Sequence, residues 1–330
     1  MSPVTSSRKA GMFDDPSILS WIQDKLLRPL DGFGSGAIEY RFPELGTRTP
    51  IAIATSAGGQ QAVVKLMRSW YALLRVTSNQ RWMRHRGLPV PNVLAWSAIS
   101  RVSAPKRFVM IEQFIDGPSI NELDDNRRAD VLVPIATSLA AMHSHQRKRA
   151  GPPWLPSPVQ AMSRYLPRVL ERLEKLRDTL GDTALIELRA QLTEQAGRLA
   201  ERGRYEFIHG HVNPNNFLIA DGTAWIIDLE MVQFGDFGRD LVRGGHRLTR
   251  ELPDRRKLFL DRYFEVVKGI TRDMWYEQAP FYEADFRLAR AVGWLRDVTK
   301  GRIEQDEFMR KVDVDVMAAR EALSGTWIPD

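Results

Sequence analysis

His209-Gly210-His211-Val212-Asn213-Pro214-Asn215-Asn216, followed by Trp225-Ile226-Ile227-Asp228-Leu229-Glu230, is the stretch on which the reading of this chain turns. Two imidazoles and, five residues beyond the second, an asparagine share one short polar segment. The apolar run 225–227 reads as a short buried strand that delivers the carboxylate of Asp228. An amide oxygen and a carboxylate are hard ligands of the kind magnesium takes. Gly235-Asp236-Phe237-Gly238-Arg239-Asp240-Leu241 follows, and from Asp240 onward the pattern is mainly helical.

Upstream of this loop the apolar spacing is helical. Leu132, Ile135, Leu139 and Met142 recur at three and four, as do Leu166, Val169, Leu173, Leu176 and Leu180, and then Leu185, Leu188, Leu192 and Leu199. Residues 30–115 read instead as mostly strand: Ile38 to Phe42, Ile51 to Ala54, Gln61 to Leu66 and Arg107 to Phe114, with a turn at Ser56-Ala57-Gly58-Gly59. One helix interrupts them, with Met67, Trp70, Leu74 and Met83 as its apolar positions and Gly87 and Pro89 as its stop. The expected fold class is therefore α+β. A small sheet-rich part (13–117) follows a polar tail expected to be disordered (1–12), and a larger helical part (118–330) completes the chain. Gly151-Pro152-Pro153-Trp154-Leu155-Pro156 reads as a stiff connector within the helices.

Composition narrows the chemistry. With 43% hydrophobic residues the chain can bury a large core. It has no cysteine, so disulfides and thiolate metal sites are excluded and any metal is held by oxygen or nitrogen. No apolar run is long enough for a membrane span and no secretory leader is readable, so a cytoplasmic protein without membrane partners is expected. The net charge of +6 favours anionic ligands such as nucleotides. The basic clusters 81–86, 147–149 and 255–257 come with no nucleic-acid-binding signature, so they read as solvated helix faces or ends.

Phosphoryl transfer needs phosphates held in line, a divalent cation to neutralise charge, and a group that positions and deprotonates the acceptor. A His-x-Asp loop with Asn five residues beyond the Asp, then a strand ending in Asp, supplies those parts. Here Asn216 and Asp228 stand at those places, with His211 where the Asp belongs. The residues resemble the aminoglycoside phosphotransferase and choline kinase-like family, whose loop reads roughly His-Gly-Asp-Leu-His-Pro-Gly-Asn, then Ile-Asp-Trp-Glu, then Gly-Asp-Pro with Asp-Leu. The resemblance extends to 87–94, to Phe108-Val109-Met110-Ile111-Glu112 and to Leu139-Ala140-Ala141-Met142-His143, in order from about residue 30 to 245.

The resemblance implies a protein kinase-like two-lobed fold and an ATP-dependent (or GTP-dependent) phosphotransferase using magnesium. Carried over residue by residue, it makes Asn216 and Asp228 the metal ligands and sets Lys65 on the nucleotide phosphates. It places the adenine along the backbone from Ile111 to Phe114, so that Glu112 and Phe114 are cofactor contacts. Asp240 would brace the loop. Gly32, Gly34 and Gly36 sit where a phosphate-covering turn belongs, although an ordinary hairpin turn explains them as well. The acceptor, a small molecule or a peptide hydroxyl, would lie between the His211 loop and residues 160–200.

Two departures from the family pattern matter. His211 replaces the catalytic Asp, and no Asp or Glu occurs between Lys65 and Glu112, where the family places the partner of its lysine. Lys65 also reads as an ordinary strand-end lysine. His211 admits three readings: a neutral base or phosphate-accepting nitrogen, a pseudokinase that binds nucleotide or acts through partners, or a substitution that traps an inactive form. A different class is a non-haem iron site from His209, His211 and Asp228. That reading leaves Asn216, Asp240 and the upstream matches without a role.

Overall fold

The structure, a computed structural model, describes residues 13, 15–43, 49–99, 107–153, 161–200 and 202–325. The 1–12 segment, and the connector from 154 onward, lie outside the described residues. The chain divides into two compact units. The first runs to Pro118 and takes in Leu218–Asp221 and Trp225–Glu230; the second holds Ser119–Phe217, Gly222–Ala224 and the chain from Met231 on.

The first unit begins with α1 (Pro16–Ile22), whose Asp15 cap accepts the Ser17 N–H at 2.9 Å and which runs on into a π-type turn, Gln23–Leu27. The strands β1 (Ile38–Arg41), β2 (Ile51–Ser56) and β3 (Gln61–Met67) follow. Next come α2 (Trp70–His85), capped by Ser69, then β4 (Val93–Ile99) and β5 (Arg107–Gln113). The strands form one antiparallel sheet in the order β1-β2-β3-β5-β4. Side chains alternate across a strand, and Ala62, Val64, Leu66, Val109 and Ile111 all point into a core with Ile18, Ile22, Leu27 and Phe33. Each such aliphatic side chain contributes about 1.5–3 kcal/mol on burial. The same alternation sends Val63, Lys65 and Glu112 to the other face. The sequence signals anticipate four of the strands and α2; β4 and α1 are additions to them.

The second unit opens with α3 (Asp125–His143) and the short β6 (Gln146–Arg147). The expected helix over 166–180 divides into α4 (Ala161–Glu174) and α5 (Arg177–Leu180), and α6 (Asp182–Ala200) follows. Then come β7 (Tyr205–Ile208), the hairpin β8 (Phe217–Ala220) and β9 (Thr223–Ile226), of which Leu218–Ala220 and Trp225–Ile226 group with the first unit, and β10 (Gln233–Gly235). Four helices complete it: α7 (Gly238–Arg247), α8 (Pro253–Val266), α9 (Arg272–Thr299) and α10 (Gln305–Leu323). β7 is the middle strand of a three-stranded sheet, β10-β7-β6, and its four residues are all buried, so the segment after Ile208 leaves from a fixed point. Among the described residues no helix is long and apolar enough to cross a membrane.

Candidate functional site

The loop after β7 is built around one carboxylate. Asp240, in the first turn of α7, is fully buried. One of its oxygens accepts the His209 N–H at 2.6 Å and the other the Gly210 N–H at 2.9 Å. His143 Nε2 lies 3.3 Å from the first of these oxygens, and its Nδ1 is 2.8 Å from the Tyr263 hydroxyl. Burial alone would raise the Asp240 pKa, but the His143 hydrogen bond and the surrounding positive charges more than offset it and hold the group below its ordinary value. Asp240 thus braces the loop through its backbone.

Gly210 is required where it stands. Its φ is +76°, and a Cβ there would lie 2.8 Å from the Met231 carbonyl oxygen. His209 is fully buried, and its Nδ1 accepts the His211 N–H at 3.2 Å. His209 therefore shapes the loop. Among the described residues no group of three or more His, Cys, Asp or Glu side chains gathers as a metal site, and the iron-site reading gains no support.

Asn216 closes the loop. Asn213 caps the 3₁₀ turn Pro214–Asn216 by accepting the Asn215 N–H at 2.9 Å. Asn216 then donates from Nδ2 to the His211 carbonyl at 2.9 Å, which fixes the amide's orientation. Its Oδ1 meets no protein donor among the described residues. His211 itself is half-buried, and both its backbone groups are used in setting the loop.

Asp228 follows β9 and groups with the first unit. Its φ is +60°, uncommon for a residue with a side chain. The strand before it is tied by the Ile226 N–H to the Pro89 carbonyl at 2.8 Å. Beyond it, Asn79 donates to the Leu229 carbonyl at 3.4 Å and Thr49 to the Glu230 carboxylate at 2.7 Å. Anchors on both sides hold this backbone conformation in place.

Lys65 has a partner after all. It pairs through Nζ with Glu112 Oε1, and Gln80 on α2 donates to the other Glu112 oxygen at 2.9 Å. The register explains the pair: Val63 faces Glu112 and Lys65 faces Met110, so Lys65 and Glu112 are diagonal neighbours on one face of β3 and β5. The carboxylate that the family pattern puts on the helix comes here from the adjacent strand, while the helix supplies an amide. Glu112 accordingly enters the site through its side chain. Its backbone lies inside the sheet, between Val63 of β3 and Val93 of β4, and is not an open edge for a base. Phe114 lies just past the end of β5 and is half-buried. Gln80 carries its own signal, since it is polar yet lies among the buried positions of α2 with Leu73, Val76 and Met83.

Gly34 does not belong with Lys65. Ile38 faces Ser56, and a Cβ on Gly36 would touch the Ala57 methyl, so the 32–36 turn lies beside the β2–β3 turn. Lys65 is opposite Ile51, at the other end of β2, about 17 Å away at ~3.3 Å per residue. The phosphate-covering role expected for Gly34 is corrected by this register. The chain leaves β1 at Arg41 and enters β2 at Ile51, opposite Lys65, and residues 44–48 between them lie outside the described set.

The comparisons agree with this architecture. The chain resembles the solved structure of aminoglycoside phosphotransferase APH(4)-Ia at a TM-score of 0.62 and 15% identity, covering 91% of this chain and 99% of that one. Spectinomycin phosphotransferase APH(9)-Ia in complex with ADP and spectinomycin aligns at 0.57 and 14%, covering 90% and 96%. A putative fructosamine-3-kinase from Haemophilus somnus 129PT aligns at 0.55 and 14%, covering 87% and 91%. At such identities the likeness establishes the fold, which is protein kinase-like. No curated protein matches the chain. The sequence profile of the phosphotransferase enzyme family matches residues 51–276, a span from β2 into α9 that includes Lys65, Glu112, His211, Asn216, Asp228 and Asp240, and the chain belongs to that family.

Proposed function

We propose that the protein is an ATP-dependent O-phosphotransferase acting on the hydroxyl of a small molecule, with His211 in the place of the usual carboxylate base. The observation that carries this reading is Asn216: its amide nitrogen is spent on the His211 carbonyl, which leaves its oxygen without a donor among the described residues. An oxygen so oriented suits a hard cation. Together with the Asp228 carboxylate it would hold magnesium, which completes its shell with water and phosphate oxygens and, when bound, neutralises phosphate charge. Lys65, steadied by Glu112, would contact the nucleotide phosphates, and the chain beside Phe114 would take the adenine. ADP in the spectinomycin phosphotransferase complex supports a nucleotide role for this fold.

In the reaction the acceptor oxygen forms a bond to the γ-phosphorus. The bond from that phosphorus to the bridging oxygen breaks, and ADP leaves with the electron pair. The acceptor proton passes to the His211 imidazole, which in this reading serves as the general base.

The test is ATP turnover over a panel of hydroxyl acceptors with the parent, His211→Ala, His211→Asp and Asn216→Ala. Turnover in the parent that is lost in His211→Ala and Asn216→Ala is the expected result. A silent parent that gains activity as His211→Asp moves the protein to a nucleotide-binding, non-catalytic role. A parent that neither binds nor turns over nucleotide ends the proposal.

A further inference from the structure

Arginine at a buried position is normally matched by a carboxylate, because an unpaired guanidinium away from water is costly. α7 carries a partly buried arginine with one nitrogen left unmatched. Arg239, Arg243 and Arg247 are spaced by four and so lie along one face of the helix. Nε of Arg239 is sealed from solvent and has no hydrogen-bond partner. Its guanidinium carbon lies 5.1 Å from the centre of the Tyr165 ring on α4, and no side-chain hydrogen bond or ion pair holds it among the described residues.

The carboxylate within reach is already committed. Asp285 of α9 is buried, pairs with Arg172, and accepts the Tyr165 hydroxyl at 2.6 Å. Arg243 reaches it only at 3.9 Å. Asp240, next to Arg239 in sequence, is spent on His143 and on the His209 and Gly210 amides. Arg247, one turn further on, has no hydrogen bond or ion pair among the described residues. The residue is exposed as a whole, but partial burial of its guanidinium and then the neighbouring Arg243 charge hold it below the ordinary guanidinium value. Among the described residues Arg172, Arg239 and Arg243 thus gather about Asp285, with the committed Asp240 adding its charge at Arg239, and residues 154–160, which lead into α4, contain no Asp or Glu. An excess of fixed, partly desolvated positive charge of this kind is a ready receptor for a planar or tetrahedral oxyanion.

From this we infer that the face formed by Arg239, Arg243 and Arg247 of α7, with Tyr165 of α4, binds the phosphate or carboxylate group of the acceptor substrate. The acceptor would then be a hydroxylated compound that already carries an anion, not a polycationic one. Its delivery to the site follows from chain connectivity, because the residue after Arg239 is the one that holds the His211 loop. The word acceptor rests on the phosphotransferase reading; the anion site does not.

The experiment separates the two. Inorganic phosphate is titrated calorimetrically, at fixed ionic strength, into the full chain and into Arg243→Gln, Arg247→Gln and Lys65→Met. Saturable binding that weakens at least tenfold in Arg243→Gln, weakens in Arg247→Gln and persists in Lys65→Met is expected. Because Arg247 is exposed, its variant should keep the fold and so guards against a trivial loss. No saturable binding in the parent, or binding lost with Lys65 and indifferent to both arginines, overturns the inference.

A second arm compares glycerol, glycerate and glycerol 3-phosphate as acceptors with ATP. A preference for the charged pair that Arg243→Gln removes through KM supports the site. ATP turnover on neutral acceptors with no anion preference overturns it while leaving the phosphotransferase reading intact. Arginine-dependent phosphate binding without any ATP turnover upholds the anion site and removes that reading instead.

Discussion

Glu112 and Lys65 are ion-paired across neighbouring strands, β5 and β3, with side chains 5% and 14% exposed. A carboxylate on a strand cannot be withdrawn by movement of a helix, whereas one on a helix can. The lysine of this protein is therefore held by the sheet itself, and Gln80 of α2 enters only as a hydrogen-bond donor to the carboxylate.

Removing Glu112 should thus be felt twice. Glu112→Ala leaves a nearly buried ammonium without its counter-charge, and an equilibrium denaturation curve is expected to shift by about 3 kcal/mol. Binding of a fluorescent ATP analogue should weaken at least tenfold in the folded protein, since Lys65 loses its position. The double variant Gln80→Glu with Glu112→Gln returns a carboxylate to the same lysine from the helix and should recover most of both losses. Nucleotide binding unaffected by Glu112→Ala would remove Lys65 from the site.

Asp240 offers a test of the loop's support. Its carboxylate takes two backbone N–H groups, and an amide in its place can accept at one atom only. Asp240→Asn should destabilise the second unit by about 3 kcal/mol and release the His209 and Gly210 amides to hydrogen exchange. The pH sign follows from the lowered pKa: the parent has this stabilisation in full above the ordinary carboxylate range and loses it as pH falls through the depressed value. Asp240→Asn should lack that acid-side loss. Unchanged protection of the two amides in the variant would show that the loop is held otherwise.

Glu206 on β7 should behave in the opposite sense. Burial, partly offset by Arg202 and reinforced by the like charge of Asp236, pushes its pKa up from 4.5 to about 7, and its Oε2 has no hydrogen-bond partner among the described residues. Between these values the folded chain holds a proton that the unfolded chain has released, so stability falls as pH rises from about 4.5 to 7. The contribution amounts to roughly 3 kcal/mol at most by the 1.36 kcal/mol per unit relation. Glu206→Gln keeps a neutral side chain of the same shape and is expected to gain stability relative to the parent at pH 8 and not at pH 4. Parallel denaturation midpoints for the two proteins across that range would count against a protonated Glu206.

What could be read from the chain, and what could not, divides along a physical line. Lys65, His211, Asn216, Asp228 and Asp240 stand in local patterns, where spacing along the backbone carries the information. The strands β2, β3 and β5 are short apolar runs between turns and were equally legible. The partner of Lys65 was not, because it depends on the β3–β5 register, which links residues far apart in sequence. Gly34 misled for the same reason: a glycine spacing shows a turn but not which end of the sheet the turn occupies. β4 is poorly marked although Val93-Leu94-Ala95-Trp96 is apolar, because this edge strand is mostly half-buried or exposed and its sequence does not alternate apolar with polar residues. The arginine face of α7 was hidden because a sequence shows charges and not which of them lack a counter-charge.

Gly210 allows the geometry of the loop to be measured against an internal control. Gly210 and Gly222 both have positive φ, +76° and +69°. Alanine at either position incurs the left-handed penalty of about 1–2 kcal/mol. Only at Gly210 would the added methyl group meet a backbone atom, the Met231 oxygen at 2.8 Å; at Gly222 it meets nothing within 4 Å. Gly222→Ala should therefore cost the dihedral term alone and leave any ATP turnover near the parent level. Gly210→Ala should cost about 1–3 kcal/mol more, in the range of an overpacked site. It should also depress turnover steeply, because the peptide that Asp240 grips must shift and the His211 carbonyl that orients Asn216 shifts with it. Equal costs at the two positions in matched denaturation curves would mean that the loop and the Met231 backbone are not in contact, and the bracing described for the His211 loop would have to be redrawn.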